Sequence, residues 1–255
     1  MLGAIIGDIV GSVFEFNNIK VKTFDLFSPK STFTDDTVLI VATMDALLNN
    51  KPFLVAYKEW FRKYPNSGYG RSFLEWANSA NNEPYNSWGN GSAMRVSPIG
   101  VYLNSVEEVL EKSKESAAVT HNHIEGIKGA QATASAVFLA RSAKTKIEIK
   151  NYIEEKFKYN LNESIESIRT WYTYDVSCQG SVPQAIIAFL ESNNFEDAIR
   201  NAISIGGDSD TIACITGAIA EAYYKNIPET IMAEAFNRLD DEMLLLVNRF
   251  YKNLG

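Results

Sequence analysis

The chain has 255 residues, long enough for one domain, 1–255, with a sizeable core, and its 46% hydrophobic and 22% charged residues are ordinary globular usage. Its 24 basic and 31 acidic residues give a net charge of −7 with no clustered basic stripe, so nucleic acid is not an expected partner. Two cysteines, Cys178 and Cys214, lie far apart outside any C-x-x-C pattern, which argues against a disulfide framework and for reduced, buried thiols in a cytoplasmic protein.

The N-terminal segment has no basic leader and reaches Asp8 too early for a signal-peptide core, and no apolar run approaches about 18 residues, so no membrane span is expected. Residues 2–14 read as a helix with Gly3, Gly7 and Gly11 on one face, a spacing that lets another backbone approach closely. A second helix is expected over 38–48, after Thr34-Asp35-Asp36-Thr37, and a third over 53–61, opened by Pro52. Residues 64–70 and 78–92, rich in Asn, Gly, Ser and Pro, read as loops.

Ser105 with Glu107 and Glu108 marks a helix start running to about residue 119. An Ala-rich helix follows over 125–143, then helices near 146–158, 163–172, 182–191, 195–204, 211–225 and 229–251. No β-α-β alternation or internal repeat emerges, so the fold class expected is all-α. Lys20 with Lys22 and Lys144 with Lys146 read as solvated surface; Trp60, Tyr64, Trp76 and Trp171 read as core or surface aromatics.

Two acidic clusters carry the chemistry. Thr34-Asp35-Asp36-Thr37 and Gly206-Gly207-Asp208-Ser209-Asp210-Thr211 each set carboxylates and hydroxyls at a helix start. Such oxygen donors suit hard divalent cations, while plain N-capping is the structural alternative for either cluster alone. Two clusters with one logic change that balance, because four carboxylates can neutralise two divalent ions. An EF-hand fails at Ile212, and a haloacid-dehalogenase-type D-x-D would follow a strand that this helical context lacks.

Glu15, seven residues after Asp8 and between Phe14 and Phe16, is a third acidic candidate; the two carboxylates can share a helical face, and the aromatics favour partial burial. The stretch Ser87, Trp88, Gly89, Asn90, Gly91 and Ser92 offers loop amides as an anion cradle and an indole for stacking, with a tight turn as the bland alternative. It lacks a Walker lysine and the G-x-G-x-x-G spacing. The only histidines, His121 and His123, are too few for a zinc site and read as a hydrogen-bonding group, or a cap, at the start of the 125–143 helix.

Taken in series, Gly7-Asp8, Gly11, Glu15, Thr34-Asp35-Asp36-Thr37, Gly89-Asn90-Gly91-Ser92-Ala93-Met94-Arg95, Thr120-His121 and Gly206-Gly207-Asp208-Ser209-Asp210-Thr211 resemble the ADP-ribosylglycohydrolase family over essentially the whole chain. The resemblance implies a compact orthogonal helical bundle with a binuclear centre, usually Mg²⁺ or Mn²⁺. It implies metal ligands at Thr34, Asp35, Asp36, Asp208, Asp210 and Thr211, and catalytic roles for Glu15, Asp35 and Asp36. It implies that Glu15 lies on a gating segment, that Ser87, Trp88, Gly89, Asn90, Gly91 and Ser92 bind diphosphate, and that His121 lines the ADP-ribose cleft. The implied activity is hydrolysis of an ADP-ribosylated protein or small ADP-ribose conjugate, with arginine-linked ADP-ribose first and serine-linked or O-acetyl forms as further substrates. The rival readings are a non-catalytic ADP-ribose-binding protein and a metal-dependent phosphoesterase.

Overall fold

Glycine at every fourth position strips the side chains from one helical face, and a second helix occupies the space. In the computed structural model, which describes residues 1–254, helix α1 (Leu2–Gly11) runs antiparallel to a helix near the C-terminus, Ser209–Tyr224. A Cβ built on Gly7 would lie 2.0 Å from the Ala213 carbonyl oxygen, and one on Gly217 would lie 2.0 Å from that of Gly3. All ten residues of α1 are buried, so it forms the centre of the core.

The remaining helices wrap this pair. In chain order they are α2 (Asp35–Asn49), α3 (Phe53–Lys63), α4 (Arg71–Asn78), α5 (Gly91–Met94), α6 (Ser97–Tyr102), α7 (Val106–Ala118) and α8 (Ile124–Arg141). Then come α9 (Lys146–Phe157), α10 (Ile165–Trp171), α11 (Cys178–Leu190), α12 (Phe195–Ile205), α14 (Glu229–Phe236) and α15 (Asp241–Asn253), with the partner of α1, Ser209–Tyr224, as α13. Among the described residues there is no strand, only an isolated antiparallel bridge between Gly89 and Ser177. No helix is long and apolar enough to cross a membrane. Both cysteines are buried free thiols.

The all-α expectation holds, with instructive departures. The 2–14 helix stops at Gly11, so Glu15 stands on an irregular segment and not on the helical face of Asp8. The 229–251 helix is two: Asp240 caps α15 by accepting from the Met243 amide at 2.9 Å, after Asn237 has ended α14. Helices α4 and α6 were not legible as elements. Their length is eight and six residues, and what stabilises them is tertiary burial of groups such as Phe73, Trp76 and Ile99.

Two lysines read as solvated surface are tied down. The Lys20 ammonium donates to the carbonyls of Tyr172 (2.7 Å) and Ile205 (2.5 Å), bracing the turn that precedes Asp208. The Lys146 ammonium donates to the Leu190 carbonyl at 3.1 Å and to that of Ser192, at the C-terminal end of α11, and lies against Phe189 and Tyr224.

Candidate active site

The antiparallel pairing decides where the carboxylates meet. It sets the C-terminal end of α1 beside the N-terminal end of α13, with Gly11 against Asp210. Asp8, wholly buried in α1, then recruits α2. Its carboxylate accepts from the Thr34 amide (2.9 Å) and hydroxyl (2.7 Å) and from the Thr37 amide (3.0 Å) and hydroxyl. Three segments distant in sequence thus end at one cleft of about 350 Å³.

Thr34 caps α2 in the expected way, its oxygen accepting from the Asp36 amide at 3.2 Å. Asp208 does not cap α13; its carboxylate accepts instead from the Asn90 side-chain amide at 2.6 Å. The capping alternative therefore fails for Asp208, while Asp210 accepts from the Thr211 amide at 2.9 Å in the first turn of α13. The tight turn that aims Asp208 needs φ of +74° at Gly206 and +78° at Gly207, values that side chains resist.

The electrostatics are one-signed. Glu15, Asp208 and Asp210 each present a ligand atom, all within 4.8 Å of one another. One oxygen of Asp36, Oδ2, is buried with no partner, while its Oδ1 accepts from the Thr211 hydroxyl at 3.4 Å. Burial, then mutual repulsion, raises Asp35, Asp36 and Asp210 well above the usual carboxylate range. Burial raises Asp8 and Asp208 as well, and burial followed by the Asp208 charge pushes Glu15 up to about 7. A set of crowded, desolvated oxygens with an orphan among them is the donor chemistry that a hard cation would relieve. This cluster could hold a metal.

Tyr85, Ser87, Gly89, Asn90, Gly91 and His121 line the same cleft. Of the residues singled out from sequence, Glu15, Thr34, Asp35, Asp36, Ser87, Gly89, Asn90, Gly91, His121, Asp208, Asp210 and Thr211 all line the cleft. Trp88 does not; half-exposed, it tilts against His123 at 5.5 Å. Ser92 is fully buried and donates to the Gly126 carbonyl at 2.8 Å, tying the loop to α8. It is His123, not His121, that caps α8, its Nδ1 accepting from the Glu125 amide at 3.2 Å. Sequence reasoning passed over Asp8 and Thr37 as the organisers of α2. It also passed over Tyr85 and Tyr174, which line the cleft; the Tyr174 hydroxyl donates to Glu15 at 3.2 Å. Only the Asp8 position carried a local signal, as a lone acid inside an apolar helix.

An all-helical fold that gathers carboxylates from three helix ends beside a glycine-rich loop defines a class of helical proteins with an acidic cleft that could hold a cation. The sequence profile described as ADP-ribosylglycohydrolase matches residues 1–254, and the chain belongs to that family. Among relatives, ADP-ribosylhydrolase ARH3 of Gallus gallus is 28% identical over 319 residues, covering 88% of this chain and 84% of its own. The Homo sapiens ARH3 is 28% identical, covering 90% and 86% respectively. ADP-ribosylarginine hydrolase Tri1 of Pseudomonas putida is 27% identical over 88% of this chain and 69% of its own. A solved ADP-ribosylglycohydrolase-related protein complex matches with a TM-score of 0.72 at 21% identity, over 100% of this chain and 97% of the other; the likeness is one of fold.

Proposed function

We propose that the protein hydrolyses the glycosidic bond of ADP-ribose conjugates and releases ADP-ribose, using two divalent cations, Mg²⁺ or Mn²⁺. The observation that carries this reading is the convergence of Glu15, Asp35, Asp36, Asp208 and Asp210 in one cleft that Ser87, Gly89, Asn90, Gly91 and His121 also line. Thr34, Asp35, Asp36, Asp208, Asp210 and Thr211 are the residues that would hold the cations. Bound there, the ions would supply positive charge and Lewis acidity toward the ribose hydroxyls.

The chain's own groups divide the remaining work. The His121 imidazole and Gly91 line the space a diphosphate would take, while the Ser87, Gly89 and Asn90 amides already donate to the Thr120 carbonyl, the Ser87 hydroxyl and the Val176 carbonyl; binding there would let remote binding energy fix the reacting end. Tyr85 offers an aromatic wall. Glu15 stands outside any helix and is steadied by Tyr174, so it is the carboxylate left to take a proton from the attacking water. Asp35 and Asp36 stabilise positive charge that develops at the anomeric carbon. Arginine-linked ADP-ribose is the leading substrate, and the name of the Pseudomonas putida relative favours it.

An ADP-ribose release assay on arginine-linked, serine-linked and O-acetyl substrates, with and without a chelator, tests the reading. Chelator-sensitive release supports it and names the leaving group. Phosphate release would point to a phosphoesterase, and tight ADP-ribose binding without turnover to a binding protein; either result overturns the assignment.

A further inference from the structure

Arg95 ends the loop motif and is among the residues that line the cleft, yet none of its guanidinium is exposed. Its side chain is fully buried, its Nε and Nη1 are sealed off without partners, and its guanidinium lies 4.3 Å over the Tyr57 ring. Its one occupied nitrogen, Nη2, donates to the Ser116 carbonyl (2.8 Å) and to the Thr120 hydroxyl oxygen (2.9 Å). Thr120, also fully buried, has its hydroxyl 2.7 Å from Nδ1 of His121.

These contacts fix the proton positions. An arginine only donates, so the Thr120 oxygen accepts from it. The hydroxyl proton then needs an acceptor in a dry site: His121 Nδ1 lies at 2.7 Å, and the Tyr85 hydroxyl, which also meets Thr120, can itself be the donor there. With Nδ1 accepting, a neutral imidazole carries its proton on Nε2. Burial, then the Arg95 charge, holds His121 well below its ordinary range, so the ring stays neutral. Nε2 lies 3.3 Å from where a Cβ would stand on Gly91 and 3.5 Å from one on Gly89, and the hydrogen bond of the ring is made at the other nitrogen, Nδ1. The two glycines keep this N–H edge clear, and it faces the cleft.

We infer that Arg95 and Thr120 are positioning residues that lock His121 in its Nε2–H form, so that the imidazole donates a hydrogen bond to a diphosphate oxygen. The ligand half of this inference rests on the proposed ADP-ribose reading; the proton arrangement does not. A charged donor behind the hydroxyl also polarises it and strengthens its bond to Nδ1.

Nitrogen-15 spectra of the histidines test the lock without ligand, metal or turnover, with His123→Asn assigning the two rings. The expected result is an unprotonated Nδ1 and a protonated Nε2 on His121 in the wild type, with mixed tautomers in Thr120→Val and the locked pattern restored in Thr120→Ser. A protonated Nδ1 in the wild type, or an unchanged pattern in Thr120→Val, overturns the inference.

Calorimetry of ADP-ribose binding tests the consequence. Thr120→Val should weaken binding about tenfold, the scale of one hydrogen bond, and Thr120→Ser should stay within about twofold. In a His121→Gln background, whose amide donates without tautomers, Thr120→Val should add no further loss. An equal loss in both backgrounds would make Thr120 a merely structural support and overturn the relay. If the locked spectrum is found but the wild type binds no ADP-ribose, the relay stands and the functional reading falls. The reverse tautomer with normal chelator-sensitive hydrolysis sinks the relay alone.

Discussion

Gly7→Ala is the perturbation that most directly probes how this fold is held and how the site depends on it. On an isolated helix the change would stabilise, by up to about 1 kcal/mol, because alanine is the better helix former. Here the new methyl would stand 2.0 Å from the Ala213 carbonyl oxygen, 2.3 Å from its carbonyl carbon and 2.6 Å from the Cys214 nitrogen. All three are backbone atoms of α13, which cannot swing aside as a side chain can. Relief requires α1 and α13 to part by at least about 1 Å, which loosens an interface at the centre of the core.

Overpacking in a dense core costs about 1–3 kcal/mol and three backbone clashes place this change at the upper end, so a net loss of about 2 kcal/mol is expected after the propensity gain. For a chain of this size that is a fall in Tm of roughly 4–8 °C. The strain falls within one turn of Asp8 and of Asp210, so Mn²⁺ affinity should weaken by about tenfold or more as well. Thermal and denaturant unfolding with manganese calorimetry would measure both. A variant that melts at or above the wild-type temperature would refute the close-approach argument outright.

The site supports three further expectations. Asp210→Ala should lose a bound cation and abolish ADP-ribose release while the helical spectrum persists; full activity at normal metal content would remove Asp210 from the centre. Asp8→Asn puts an amide donor against the donors of Thr34 or Thr37 and should cost about 3 kcal/mol or more, measured by unfolding, and weaken metal binding although Asp8 is not a proposed ligand. The third concerns acid stability. Because the folded state holds His121 neutral below the ordinary 6.5 while the unfolded chain takes up a proton there, stability falls as pH drops below about 6.5. The slope is up to about 1.4 kcal/mol per pH unit, and His121→Gln removes that increment. A wild-type-minus-variant stability difference that stays flat between about pH 7 and pH 5 would contradict it.

The single-sequence signals that proved sound were those whose physics is local. Glycines four apart announced a close helix contact before its partner was known, because spacing alone sets which residues share a face. Thr34, beside Asp35 and Asp36, marked a helix start, since the first amides of a helix need acceptors wherever it packs. The family's ordered motifs reached Glu15, the loop and His121 in the same way, as short patterns.

What the chain could not announce was anything that depends on which distant group arrives. Whether Asp208 caps its own helix or turns to Asn90 is settled by a loop more than a hundred positions away. Trp88 and Ser92 share the loop motif with Asn90, yet packing on His123 and Gly126 turns both away from the cleft. Arg95 closes the loop motif in sequence, and only the structure shows Tyr57 and Thr120 enclosing it. Local propensity and pattern are properties of neighbours along the chain and were fixed by the sequence on its own. Burial, charge crowding and proton positions belong to neighbours in space, so they exist only once α1 and α13 have closed on each other.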